Sequence, residues 1–301
     1  MSESQLKKLC ENLASIRKST IVTIVLPKEP LVYRHLLEVR ELIAEKTCEK
    51  LDIILHSTGG DINAAYKIVE LFRRHCKYMT IIVPIYAKSA ASLFILGSNE
   101  IVMGEIAELG PLDTQVSERE KGARKYTSAL NPFKTLEELR KFALETLDVT
   151  VKLLLLRAEL SVDEAIKHGM DFAARISSPL FVQLNTEKVG EYSRALAVAK
   201  EYGERLLRRY TKWQDERQRD KILEKIIRGY PSHDYIIDYE ELKELGFDVR
   251  LPSNDEKPIL EEIVKYVLHS SKTEIFSVCE GKHLNNNIEN VKSEKREDIH
   301  A

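Results

Sequence analysis

The 301-residue chain has little of several things that usually announce a function. Its four cysteines, Cys10, Cys48, Cys76 and Cys279, are scattered and form no CxxC pair, which removes the zinc-ribbon and disulfide-framework readings. Unpaired thiols fit a reducing compartment and predict a cytoplasmic protein. No histidine pair has metal-ligand spacing such as HExxH, so no metal is expected. No apolar run approaches the roughly 20 residues of a membrane span, and no apolar h-region follows Met1. The formal net charge is only -2, so no global field draws in nucleic acid or an anionic membrane surface. GxGxxG and the P-loop spacing are both missing, and no other cofactor signature is present.

With 43% hydrophobic and 31% charged residues, the chain can bury a sizeable core. Its pattern alternates. "TIVTIVLP", "LDIILHS", "MTIIVPIYA" and "EIVMG" read as strands, the first stopped by Pro27. Between them, "LVYRHLLEVRELIAEKT", "DINAAYKIVELFRRH" and "SAASLFILGS" read as helices. Strands that are continuous apolar runs, alternating with helices, predict an α/β fold whose sheet is covered on both faces.

The spacing predicts an N-terminal helix over 1–19 and a core over 20–252 with a mostly helical insert at about 136–228. A closing helix over 253–272 and a disordered tail over 273–301 follow. The polar stretch "VSEREKGARKYTSALNPFK" reads as loop. "YSRALAVAKEYGERLLRRYTKWQDERQRDKILEKII" reads as one long amphipathic helix, and "YPSHDYIIDYEELKELGFDVRLP" as strand, helix, strand.

Two turns carry candidate chemistry. "ILHSTGGDINAAYKI" places Gly59 and Gly60 between a strand and a helix N-terminus. Glycines there let backbone N–H groups approach an anion or a developing oxyanion, and the helix start adds partial positive charge. An ordinary strand-to-helix turn would look the same. "AKSAAS" forms a second such turn, where a serine could expose its hydroxyl beside a neighbour's N–H, the logic of a nucleophile elbow. A serine that merely caps a helix is the plain alternative.

Taken together, "LHSTGGDINAAYKI" and "AKSAASLFILGSNEIVMGEIAELGP" resemble the Clp-fold serine peptidases, which include the caseinolytic (Clp) protease subunits and the signal-peptide-peptidase A group. "ELGPLDTQ", "EYSRALAVAKEYGERLLRRY" and "YPSHDYIIDYEEL" narrow the resemblance to the serine dehydrogenase proteinases, over roughly residues 20 to 252. The resemblance implies a ClpP/crotonase-like ββα spiral core and a serine peptidase acting on proteins or peptides through an acyl-serine intermediate. It also implies a homo-oligomer, in which the long helix from Tyr192 would serve assembly or gating.

Carried over position by position, the nucleophile falls on Ser89 rather than Ser92, and the oxyanion hole on the N–H groups of Gly60 and Ala90. The sequence departs from the family at Thr58, where proline is usual, at Ala90-Ala91, and at Pro111, where the Clp proteases have their histidine. The triad aspartate position falls on Asp234. Three bases stay open: Lys134, His233 and Lys88, with Lys88 the least suited because neighbouring side chains at such a turn diverge. Asp113 could orient the base. His56 reads as a satisfied core histidine. The rival readings are an inactive Clp-fold assembly protein, suggested by Pro111, and a crotonase-type CoA-thioester enzyme, for which no adenine-phosphate cluster is visible.

Overall fold

The structure is a computed structural model. It describes all residues except 1–2, 45–46, 113–114, 121–122, 129–130 and 280–301, with side chains also undescribed at 115–120, 123–128 and 131–132. The elements run α1 (Glu3–Arg17), β1 (Thr20–Leu26), α2 (Tyr33–Ile43), β2 (Cys48–Ser57), α3 (Ile62–His75), β3 (Cys76–Val83), β4 (Tyr86–Ala87), a 3-10 turn (Ser89–Ser92), α4 (Leu93–Leu96), β5 (Glu100–Met103) and β6 (Glu108–Leu109). They continue through β7 (Gln115–Glu120), β8 (Ala123–Ser128), α5 (Asn131–Arg157), α6 (Val162–Val182), α7 (Thr186–Tyr210), α8 (Glu216–Arg228), α9 (Tyr239–Glu244), β9 (Val249–Arg250), α10 (Lys257–His269) and β10 (Glu274–Val278).

The main sheet has the order β10-β1-β2-β3-β5-β9, parallel except for β10, which runs antiparallel to β1. Its strands are apolar on both sides because both faces are covered. Leu51, Ile53 and Leu55 of β2 face the core shared with α2, α3, α7 and α8. Ile54 faces the smaller core under α1 and α10. Pro84 stands where β3 ends and has no N–H for the ladder, and the chain re-enters as β4. β4 then pairs with the last residue of β2, Ser57 opposite Ala87, and with β6. Strand β2 therefore ends between two layers, with one turn leaving β2 and another leaving β4 side by side.

Several expectations change. The stretch read as loop after Gln115 forms the β7–β8 hairpin, in which Gln115 pairs with Ser128. The expected single helix from Tyr192 is two, α7 and α8, divided at Thr211–Asp215 where Asp215 caps the second. Both pack on the core through Leu196, Ala199, Leu206, Leu207 and Ile222. No strand precedes α9; Ile237 makes one bridge to Leu109. The expected tail begins with a strand: Glu274–Val278 complete the sheet as β10, with Phe276 and Val278 buried. The remainder of that tail, 280–301, lies outside the described residues.

Candidate active site

The turn after β2 is built by what its glycines permit. Gly59 has φ +94° and Gly60 φ +150°. A Cβ on Gly60 would lie 2.2 Å from the Leu31 carbonyl oxygen, because residue 31 bridges this turn as if it were a strand. The Leu31 N–H donates to the Gly59 carbonyl and the Asp61 N–H to the Leu31 carbonyl, both at 2.7 Å. The Gly59 N–H donates to Ser57 Oγ at 3.0 Å. Asp61 then caps α3, accepting from the Asn63 and Ala64 N–H groups at 2.8 and 3.2 Å. Among the described residues the Gly60 N–H has no acceptor.

The turn after β4 lies against it. Ser89 is 2% exposed and has φ 54°, left-handed backbone that a non-glycine residue adopts at a cost of about 1–2 kcal/mol. Strain of this kind gathers at functional turns. A Cβ on Gly59 would lie 2.5 Å from the Lys88 carbonyl oxygen, 2.7 Å from Ser89 Cβ and 3.0 Å from the Ala90 nitrogen. The missing side chain of Gly59 thus lets the two turns meet. Ser89 and the Ala90 nitrogen therefore lie against Gly59, with Gly60 the next residue along the chain. Backbone N–H groups beside a serine can hold negative charge on an oxygen bonded to the carbon that the serine attacks.

Ser92 is different. Fully buried, it donates to the Gly110 carbonyl at 2.7 Å. It ties the serine turn to the Gly110–Leu112 segment and is not presented to a substrate.

The base candidates separate by their partners. Lys88 forms an ion pair with Glu108 at 2.5 Å, so its amine is engaged by a carboxylate. Lys134, in the first turn of α5, donates to the Tyr230 carbonyl and has no acidic partner among the described residues. His233 is half-buried three residues beyond Tyr230. The segment from Tyr230 to Ile237 returns to Leu109, next to Gly110, which abuts Lys88. Lys134 thus contacts the Tyr230–Ile237 segment and His233 belongs to it, and that segment meets the chain at Leu109. Asp234 is exposed, whereas a triad aspartate is buried against its histidine. Asp113 lies outside the described residues.

Three features carried no signal in the sequence: the Leu31 clamp, the Glu108 partner of Lys88, and Tyr230 as the seat of Lys134. His56 is a core residue, with its ring 3.9 Å from that of Tyr86. It is not satisfied as expected: Nδ1 has no hydrogen-bond partner among the described residues, and burial pushes the imidazole down to about 4. Among the described residues no group of His, Cys, Asp and Glu is placed to hold a metal.

Residues 35–152 match the family described as ClpP-like SDH-type serine proteinase. The chain is 27% identical over 282 residues to an uncharacterized protein of Methanocaldococcus jannaschii, covering 89% of this chain and 82% of that protein. It is 26% identical over 199 residues to another from the same organism, covering 66% of this chain and 51% of that one, about half its length. Two solved structures of the 1510-N membrane-bound stomatin-specific protease are also similar, one of them in complex with a substrate peptide. Their TM-scores are 0.30 and 0.29 at 19% and 18% identity, covering 50% of this chain in each case and 71% and 75% of those chains.

Proposed function

We propose, on the premise that residues 35–152 are those of a ClpP-like SDH-type serine proteinase, that Ser89 is the nucleophile of a peptidase acting on proteins or peptides. Ser89 Oγ adds to the amide carbonyl carbon as its proton passes to the base. The carbonyl oxygen takes the charge and is held by the Gly60 and Ala90 N–H groups, an interaction stronger in the transition state than before it. The base returns the proton to the leaving amine, an acyl-serine remains, and water hydrolyses it.

The observation that carries this reading is the contact between the two turns at Gly59, with Ser89 held in left-handed backbone. Lys134 is the favoured base. Its side chain is seated on a main-chain carbonyl with no carboxylate beside it among the described residues.

The experiment is acyl-transfer kinetics on Lys134→Ala and His233→Ala. The account expects Lys134→Ala to lose at least about 100-fold in acylation rate, the lower bound for a general base, and His233→Ala to stay within about threefold. The opposite ranking assigns the base to His233. Unchanged acylation in both variants contradicts a base at this seat.

The rival readings fare less well. An inactive scaffold has no need of a strained serine against an oxyanion turn, and a CoA-thioester enzyme has no need of the serine. A cytoplasmic location is supported by Cys10, Cys48, Cys76 and Cys279, which are all free thiols. No described helix is long and apolar enough to cross a membrane. The working form in this reading is a homo-oligomer.

A further inference from the structure

Helices α5 and α6 form a hairpin that packs mainly on itself. A Cβ on Gly169 of α6 would lie 2.6 Å from Val151 Cγ2 and 3.2 Å from Leu147 Cδ1 of α5, so the two helices approach closely along that face. Twelve of the twenty-two exposed large apolar residues among those described lie on these two helices, which marks the arm as lacking a partner.

The outward face of α5 has a particular order. Leu139, Phe142, Thr146, Val149, Leu153 and Leu156 are spaced 3-4-3-4-3, a heptad stripe. Val151, which meets α6, lies on the opposite side of the helix from it. Phe142 is 42% exposed, Val149 55%, Leu153 44% and Leu156 81%. A period of 3.5 residues suits another helix rather than a flat surface or a groove between strands.

We propose that this stripe docks on the same stripe of a second copy, with the two α5 helices antiparallel. The charges beside the stripe choose that direction. Placing Phe142 opposite Leu153 of the partner subunit puts Thr146 opposite Val149 of the partner subunit and Leu139 opposite Leu156 of the partner subunit. In that register Glu145 faces Lys152 of the partner subunit, and two-fold symmetry makes the pair twice. A parallel pairing in register would set Lys152 against Arg157 of the partner subunit, like against like, also twice. Within one copy, Glu145 and Lys152 are 66% exposed and bonded only within their own helix, to Lys141 and Asp148, so both can turn to a partner.

This gives the proposed homo-oligomer its contact and rests on the assembly half of that reading, not on the chemistry at Ser89. The test is the mass and dissociation constant of the full chain by sedimentation equilibrium, for wild type, Phe142→Glu, Glu145→Lys, Lys152→Glu and the double variant Glu145→Lys/Lys152→Glu. Phe142→Glu is expected to abolish this contact. Each single charge reversal is expected to weaken it at least tenfold, and the double reversal to restore it to within about threefold, since only a cross-chain pair is rebuilt by exchanging both charges.

A wild-type monomer would overturn both the proposal and the assembly reading. An oligomer indifferent to all four variants would overturn this surface alone. A double variant as weak as the singles would overturn the antiparallel register. Circular dichroism of each variant separates loss of contact from loss of fold, and active-site labelling of the same samples reports the chemistry independently.

Discussion

Ser89 and Gly59 are so close that a methyl group on the glycine would sit 2.7 Å from the Cβ of the serine. The glycine is therefore a space as much as a bend. Its φ of +94° is also one that alanine adopts poorly. Gly59→Ala is expected to lose activity entirely and to cost about 1–3 kcal/mol of stability, the range for a residue forced into a sparsely populated backbone region. Chemical denaturation with a parallel labelling assay checks both. A fully labelled Gly59→Ala protein would show that the turns need not touch.

Ser92 presents the opposite case. Its hydroxyl is consumed by the Gly110 carbonyl at 2.7 Å inside the core. Ser92→Ala is expected to destabilise by about 1–3 kcal/mol, because a buried carbonyl loses a donor. The Ser89 chemistry should survive with no more than a modest loss. Denaturation midpoints set beside labelling rates decide this, and a stable but unlabelled variant would instead give Ser92 the chemical role.

Far from the two turns, Arg17 and Arg250 are packed among Asp52, Glu100 and Glu256 where α1, the sheet and α10 meet. Arg17 donates to Glu100 at 3.0 Å, and Arg250 to Glu256 at 2.6 Å. Burial raises the Glu256 carboxyl, but hydrogen bonds from Arg250, the Ser253 N–H and Arg17 outweigh it and hold it at about 2, against an ordinary 4.5. The folded value lies below the unfolded one. Stabilisation is therefore complete above about pH 4.5 and is lost as the pH falls toward 2. The difference corresponds to roughly 3 kcal/mol. Glu256→Gln is expected to lower stability at neutral pH by about that amount and to flatten its dependence between pH 4.5 and 2. Urea titrations across that window provide the check; an equal slope in both proteins would mean that Glu256 is not the group responsible.

The parallel core and the serine turn were legible because both rest on short-range signals. Apolar strand runs, amphipathic helices and paired glycines before Asp61 each act within a few residues. The sequence favoured Ser89 over Ser92 from the register of the downstream strand; both serines are buried, and Ser92 donates to the Gly110 carbonyl. What could not be read depends on contacts between distant segments. Glu274–Val278 look like the start of a polar tail until β1 offers an unpaired edge. Thr211–Asp215 look helical until Thr211 leaves helical backbone and Asp215 caps a second helix. Asp234 matched a family position by counting, yet its exposure is set by a loop whose path no local pattern specifies. The seat of Lys134 on Tyr230 joins residues 96 apart, and Leu31 meets Gly60 only because β1 and β2 are neighbours.

The central claim is that Ser89 is an activated nucleophile, and a fluorophosphonate probe with peptide mapping tests it most directly, with Ser89→Ala and Ser92→Ala as controls. The account predicts a label on Ser89 that is absent in Ser89→Ala and retained in Ser92→Ala. A folded and assembled protein that takes no label, or takes it on another residue, would contradict it.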